Sequence, residues 1–262
     1  MKKSSGNGIL VLVDVGNTNT VFGIYRGDEL VESFRLSTDT ERTADEYGSL
    51  LLPLFTLRGV DPVSAEAVVI SSVVPPLHLT LERMAERYFG KKPLFIEPGV
   101  RTGMPIRYDN PTEVGADRIV NAVAARERYG SPVIVVDFGT ATTFDVVNAA
   151  GEYMGGIITP GITISAEALF AHASRLYRVD VRKPTELVGK NTAAAMQAGI
   201  YYGYIGLVDG ILERLHAEIP GVKSVVATGG QAPLIASGSK YIREVDPDLT
   251  LVGLKLIYER NR

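Results

Sequence analysis

The 262-residue sequence contains no cysteine. That excludes a disulfide framework, a thiolate nucleophile and a cysteine-ligated zinc. Net charge is scarce too, −3 with the histidines neutral. No broad electrostatic field therefore marks a nucleic acid or an anionic membrane as a partner. The three histidines, His78, His172 and His216, are spaced without a ligand pattern, so a zinc centre is not expected. No run of about 18 apolar residues is free of strongly polar groups, which speaks against a membrane-spanning helix. The nearest stretch, residues 198–212, contains Asp209 and reads as a buried helix. The first eight residues, MKKSSGNG, read as a solvated tail, and the apolar run at 9–13 is too short for a signal-peptide core. With 45% apolar and 22% charged residues, the composition is that of a soluble globular protein of one large or two ordinary domains. The lack of cysteine does not exclude secretion, but a cytoplasmic enzyme is the plainer expectation.

What the chain does have is one device, twice. ILVLVDVGNTNTVFGIY (residues 9–25) and VIVVDFGTATTFDVV (133–147) each run an apolar strand into an Asp, a Gly-containing polar turn and a second apolar strand. Asp14 aligns with Asp137, Gly16 with Gly139, Asn17 with Thr140, Asn19 with Thr142 and Thr20 with Thr143. Each copy reads as a β-hairpin, and the duplication points to two related domains, residues 9–114 and 115–262.

Between the hairpins, strands and helices alternate. A third strand is expected from Glu29, a helix over 43–58 capped by Thr43, a buried strand over 65–75 and a helix over 77–89. A short strand and a Gly- and Pro-rich loop (97–115) lead to a helix over 116–129. The second half continues with YMGGIITPG, a helix reaching about Ser174, a long helix over 192–217 and a strand running into Gly229 and Gly230. A last strand and helix close the chain. This is an α/β pattern with helices on the sheet faces. The long helix carries Gly199, Gly203, Gly206 and Gly210 on one face, which implies close approach by the sheet of its own domain, by the other domain or by a second chain.

A Gly-containing turn lets backbone amides approach a phosphate, and neighbouring Asn and Thr side chains add donors. The Asp cannot bind phosphate itself, but it can hold a metal ion or the water on that ion. Two such hairpins facing each other across a cleft would grip a polyphosphate. A single D-x-G turn is ordinarily just a hairpin; its recurrence is what argues for a site.

The sequence D-x-G-N-T, YDNPTEVGADR, D-x-G-T-A-T-T, GGIITPG, GKNT and TGG, in that order, resembles the type III pantothenate kinases, members of the actin-like, hexokinase-like and Hsp70-like ATPase superfamily. The resemblance implies two duplicated ribonuclease-H-like domains flanking a nucleotide cleft, a homodimer, and ATP-dependent phosphorylation of pantothenate, the first step toward coenzyme A. It implies that Asp14, Val15, Gly16, Asn17, Thr18, Asn19, Thr20 and Val21 line the ATP phosphates, with Thr140 as a second phosphate contact. Asp137 would sit at a monovalent cation site, K+ or NH4+, and Mg2+ would accompany the nucleotide. Tyr108 with Gly115, Ala116, Asp117 and Arg118 would bind pantothenate, Asp117 as proton acceptor, and Thr192 would complete that site. Beside Arg118, Asp117 is expected to stay ionised at neutral pH. Read singly, Asp117 is a first-turn helix carboxylate, Thr192 an N-cap and Tyr108 a loop aromatic. A kinase for another small hydroxyl compound and a non-enzymatic accessory relative are the competing readings.

Overall fold

The run of Val, Leu and Ile before Asp14 favours a strand covered on both faces, and the chain forms one. The computed structural model describes residues 8–173 and 175–262. The first half runs β1 (Ile9–Val15), β2 (Asn19–Arg26), β3 (Glu29–Ser37), α1 (Ala44–Leu57), β4 (Ala65–Ser72), α2 (His78–Phe89), β5 (Leu94–Phe95) and α3 (Ala116–Tyr129). The second runs β6 (Val133–Phe138), β7 (Ala141–Val147), β8 (Tyr153–Pro160), α4 (Ile162–His172), α5 (Thr192–Glu218), β9 (Ser224–Thr228), α6 (Ala232–Ala236), β10 (Glu244–Val245) and α7 (Leu249–Asn261). Ser174, where the sequence placed the end of a helix, and the first seven residues lie outside the described part.

The sheets are ordered β3-β2-β1-β4-β5 and β10-β9-β6-β7-β8. Read from the meander end they coincide: three antiparallel strands, then two parallel ones. The duplicated α/β fold is therefore present in the strand order itself. In each sheet one face carries the helical core. In the first, Val11, Val13, Phe22 and Ile70 meet Tyr47, Leu51, Phe55 and Leu81 from α1 and α2. In the second, Ile134, Val136, Phe144 and Val225 meet Tyr201, Val208 and Leu212 from α5. The expected cap of α1 forms as a capping box, with Thr43 and Glu46 each bonding the other's backbone N–H.

By contact, the chain divides into two units. One gathers the described residues up to Gly103 with Asn110–Val123 and Thr250–Arg262; the other is Met104–Asp109 with Ala124–Leu249. A single boundary at residue 115 does not describe these units. The last helix packs with the first unit because two glycines admit it. A Cβ on Gly23 would lie 2.7 Å from Leu251 Cδ1, and one on Gly253 would collide with the Val120 carbonyl.

Candidate functional site

In the first unit, β1 and β2 pair Asp14 with Val21 and Val15 with Thr20, leaving residues 16–18 as the turn. The Gly16 N–H donates to the Asn19 carbonyl at 3.0 Å, and Asn17, Thr18 and Asn19 are exposed. Thr38, which the sequence reading did not single out, staples this turn. Its N–H donates to the Thr18 carbonyl (2.9 Å), its hydroxyl to the Gly16 carbonyl (2.7 Å), and its oxygen lies 2.9 Å from Thr20 Oγ1. Thr20 itself is fully buried on the core face. Of the candidate phosphate residues, it offers backbone rather than a hydroxyl.

The hairpin of the second unit is one residue shorter. Asp137 pairs with Thr143 and Phe138 with Thr142. The sequence alignment of Thr20 with Thr143 is therefore out of register: Thr20 corresponds to Thr142. Both pair with the residue after the Asp, both are fully buried, and Thr142 accepts a 2.6 Å bond from the Tyr204 hydroxyl. The physical reason is the strand period of two, which turns a one-residue difference in turn length into a change of face. Gly139 and Thr140 form the exposed tip, and the Gly161 N–H donates to the Thr140 carbonyl at 3.0 Å. A Cβ on Gly161 would strike that carbonyl and lie 2.6 Å from the carbonyl of Gly139.

Asp137 is met by Gly229. That residue has φ +90°, and a Cβ there would sit 2.6 Å from both Asp137 Oδ1 and the Phe138 carbonyl oxygen. Only glycine suits this backbone and this approach. A carboxylate oxygen and a carbonyl oxygen therefore both lie against Gly229, and oxygens of this kind suit a hard cation. No cluster of three or more His, Asp or Glu that could hold a metal occurs among the described residues.

Asp117 stands in the first turn of α3, in the first unit. Its Oδ1 accepts the Arg118 N–H at 2.8 Å and folds back over Gly115, where a Cβ would lie 2.5 Å from it and 3.6 Å from Val73 Cγ1. Val73 in turn donates to the Val15 carbonyl at 3.0 Å. Val73 therefore links the start of α3 to the hairpin that carries Asp14. Burial is the largest influence on the Asp117 carboxyl and pushes its pKa up; the N–H and the positive charge of Arg118 pull it down. The net direction is upward, opposite to what Arg118 alone would give, because the surrounding protein costs the charged form more than one neighbouring cation returns. As a residue, Asp117 is half-buried.

The remaining candidates lie in the second unit. Tyr108 rests its ring on Gly155, where φ is +103° and a Cβ would lie 3.1 Å from Tyr108 Cε2. Residues beside it pair with β8, Arg107 N–H to the Tyr153 carbonyl at 2.7 Å. Thr192 is not the cap of α5. That role belongs to Asn191, whose side-chain oxygen accepts the Ala194 N–H at 2.9 Å. Asn191 has the extended backbone of a cap, leaving Thr192 as the first helical residue with its side chain exposed. Leu169, Leu176, Lys190, Thr192, Met196 and Gly199 surround an open cavity of about 700 Å³ at this helix start. Along α5, Ala195, Gly199, Tyr202, Gly203, Gly206 and Leu207 form an exposed stripe, and among the described residues, the helix's own nearby backbone aside, nothing lies within 4 Å of a Cβ placed on Gly199, Gly203 or Gly206. The glycine face is therefore not packed on the sheet of its own unit.

Among solved structures, a Campylobacter jejuni protein described as a Baf family transcriptional activator superposes with TM-score 0.61 at 21% identity, over 96% of this chain and 98% of that one. The ADPNP-bound activator of 2-hydroxyisocaproyl-CoA dehydratase from Clostridium difficile superposes at 0.55 and 13% identity, over 97% and 96%. At these identities the likeness is one of fold. Sequence relatives are much nearer. The type III pantothenate kinase of Myxococcus xanthus is 60% identical over 253 residues, 97% of this chain and 99% of the relative. That of Geobacter sulfurreducens is 58% identical over 254 residues, 97% and 100%. The type III pantothenate kinase family model matches residues 10–214, and with that match the chain belongs to the type III pantothenate kinase family.

Proposed function

We propose that this chain transfers the terminal phosphoryl group of ATP to the primary hydroxyl of pantothenate, giving 4'-phosphopantothenate and ADP in the cytoplasm. Family membership supports the activity. The observation that carries the assignment of roles is Asp117, a carboxyl folded over Gly115 at the start of α3 and linked through Val73 to the Asp14 hairpin. Phosphoryl transfer passes through a loose transition state, so placing the acceptor hydroxyl and neutralising charge matter more than covalent chemistry. Asp117 orients that hydroxyl and takes its proton as the oxygen bonds to phosphorus. Its raised pKa suits a base, since a carboxylate closer to neutrality holds the proton better. The backbone of residues Asp14 to Val21, with the exposed Asn17, Thr18 and Asn19, is a phosphate cradle, and Thr140 supplies a further contact. Arg118, Gly115, Ala116, Tyr108 and Thr192 are assigned to pantothenate.

Mg2+ neutralises phosphate charge during transfer. With no multi-carboxylate cluster among the described residues, Asp14 would hold it through water, the other ligands coming from nucleotide and solvent. K+ or NH4+ would take the oxygens of Asp137 and Phe138 beside Gly229, where it offsets charge near the Thr140 turn. The bare glycine face of α5 fits a homodimer, with a second copy laid against Gly199, Gly203 and Gly206.

An assay for phosphopantothenate, with ATP, Mg2+ and K+, tests the proposal. Asp117→Asn is expected to lower kcat by about 10²–10⁴-fold. Turnover of a sugar or another alcohol in place of pantothenate would favour a different small-molecule kinase. No turnover of any acceptor, with ATP still bound, would favour an accessory protein.

A further inference from the structure

Ser71 lies one strand away from Asp14, as its partner in the parallel β1–β4 ladder. Partners in such a ladder point to the same face. Val11, Val13, Val68 and Ile70 take the face that meets α1 and α2, which leaves Leu12, Asp14, Val69 and Ser71 on the other. Ser71 is fully buried, yet its hydroxyl has no hydrogen-bond partner among the described residues. Native proteins seldom leave a buried hydroxyl unpaired, since burial without a partner is costly. Ser72, the next residue, is occupied differently: its oxygen accepts the Val74 N–H at 3.2 Å and shapes the end of the strand.

The second sheet repeats the arrangement. Thr228 is the partner of Asp137 in the parallel β6–β9 ladder, and it too is buried. Each repeated carboxylate therefore has a buried hydroxyl residue on the neighbouring parallel strand. Comparing the two hairpins in sequence cannot reveal this, because the hydroxyl comes from a strand some 57 residues further on in the first unit and 91 in the second, by subtraction of the paired numbers.

We propose that Ser71 is a positioning residue for phosphoryl transfer. Its hydroxyl donates to the Asp14 carboxylate when the magnesium nucleotide is bound, and so fixes which carboxylate oxygen faces the metal-bound water. Neighbouring strands are about 4.8 Å apart, so rotation of the serine between staggered positions suffices to bring the two groups together. A hydrogen bond to a charged acceptor is among the stronger ones, and it holds the carboxylate in one orientation. No bond is made or broken by Ser71. The inference rests on the assignment of Asp14 to the magnesium nucleotide, and the experiment separates the two.

Ser71→Ala, Ser71→Cys and Asp14→Asn are compared by thermal melting, with and without MgATP, and by initial rates against Mg2+ concentration. Ser71→Ala without ligand is expected to melt at or above wild type, because a buried unpaired hydroxyl has been removed. Its MgATP-induced rise in melting temperature should fall below half of the wild-type rise, and the Mg2+ concentration for half-maximal rate should climb about tenfold, the worth of a hydrogen bond to a charged group. Ser71→Cys, a weak donor of similar shape, should fall between the two. The inference is overturned if Asp14→Asn loses the MgATP-induced rise while Ser71→Ala keeps it. It is overturned equally if Ser71→Ala melts several degrees lower without ligand and responds normally to MgATP and Mg2+, which makes Ser71 a packing residue. If Asp14→Asn itself keeps the full rise, the assignment of Asp14 fails and the inference with it.

Discussion

Two local influences disagree at Asp117. The Arg118 N–H and guanidinium favour the carboxylate, while burial, the larger influence, favours the acid. The folded protein therefore binds this proton more tightly than the unfolded chain, whose carboxyl has the ordinary value of 3.8. Between that value and the raised one, the native state carries the extra proton. Its stability accordingly falls as pH rises through this window and levels off above it. Asp117→Asn removes the cost of charging a buried group. At pH 8 it is expected to be at least as stable as wild type in urea denaturation, while the advantage disappears near pH 3.5. A variant that is clearly less stable than wild type at pH 8 would show that the carboxylate is a net asset to the fold. If Asp117 is the base proposed above, the same raised pKa moves the acidic limb of kcat/KM above the range of an exposed aspartate, which a pH–rate profile checks.

At the scale of elements, the two hairpins differ by one residue in the turn and are held by different means. The first is held from outside the hairpin by Thr38, the residue just past the end of β3. The second is held by Gly161, which brings its N–H to the Thr140 carbonyl, and by the Tyr204 hydroxyl on Thr142. Tyr204 belongs to α5, so the long helix bears directly on the turn. The atoms that a side chain at 161 would meet are backbone on both sides and cannot swing away. Gly161→Ala is therefore expected to cost about 1–3 kcal/mol of stability. It should also raise the KM for ATP, because the strain falls on the Thr140 tip. Calorimetry and initial rates check both; a variant with wild-type melting and KM would mean that the hairpin yields easily.

For the whole molecule, the exposed stripe on α5 is the informative surface. Glycine is unfavourable within a helix by about 1 kcal/mol relative to alanine, and at Gly203 no neighbouring atom among the described residues requires it. A close partner helix would. If the proposed homodimer forms on this face, Gly203→Glu, whose side chain enters open space in the single chain, leaves that chain folded and halves the mass in light scattering. If Gly203→Glu keeps the wild-type mass, the second copy does not sit on this face. Activity should fall with the dimer if the exposed Thr192, at the start of the same helix, completes a site that needs both copies.

The sequence by itself determined the duplicated α/β pattern, the two D-x-G hairpins and the family. These rest on short-range signals: β-branched runs, Gly-containing turns, the Thr43 N-cap and motifs read in order. It also pointed to Asp14, Asp137 and Asp117 as the carboxylates worth attention. Tertiary structure decided the rest, because the deciding neighbours are remote in the chain. Register put Thr20 on the core face and Thr143 beside Asp137, although the aligned letters look equivalent. Asn191, not Thr192, took the cap because backbone conformation chooses among adjacent capping residues. The direction of the Asp117 pKa depended on how much protein surrounds it, which Arg118 in the sequence does not reveal. The contacts of Gly161, Gly229 and Ser71 exist only because strands far apart in sequence lie about 5 Å apart in a sheet.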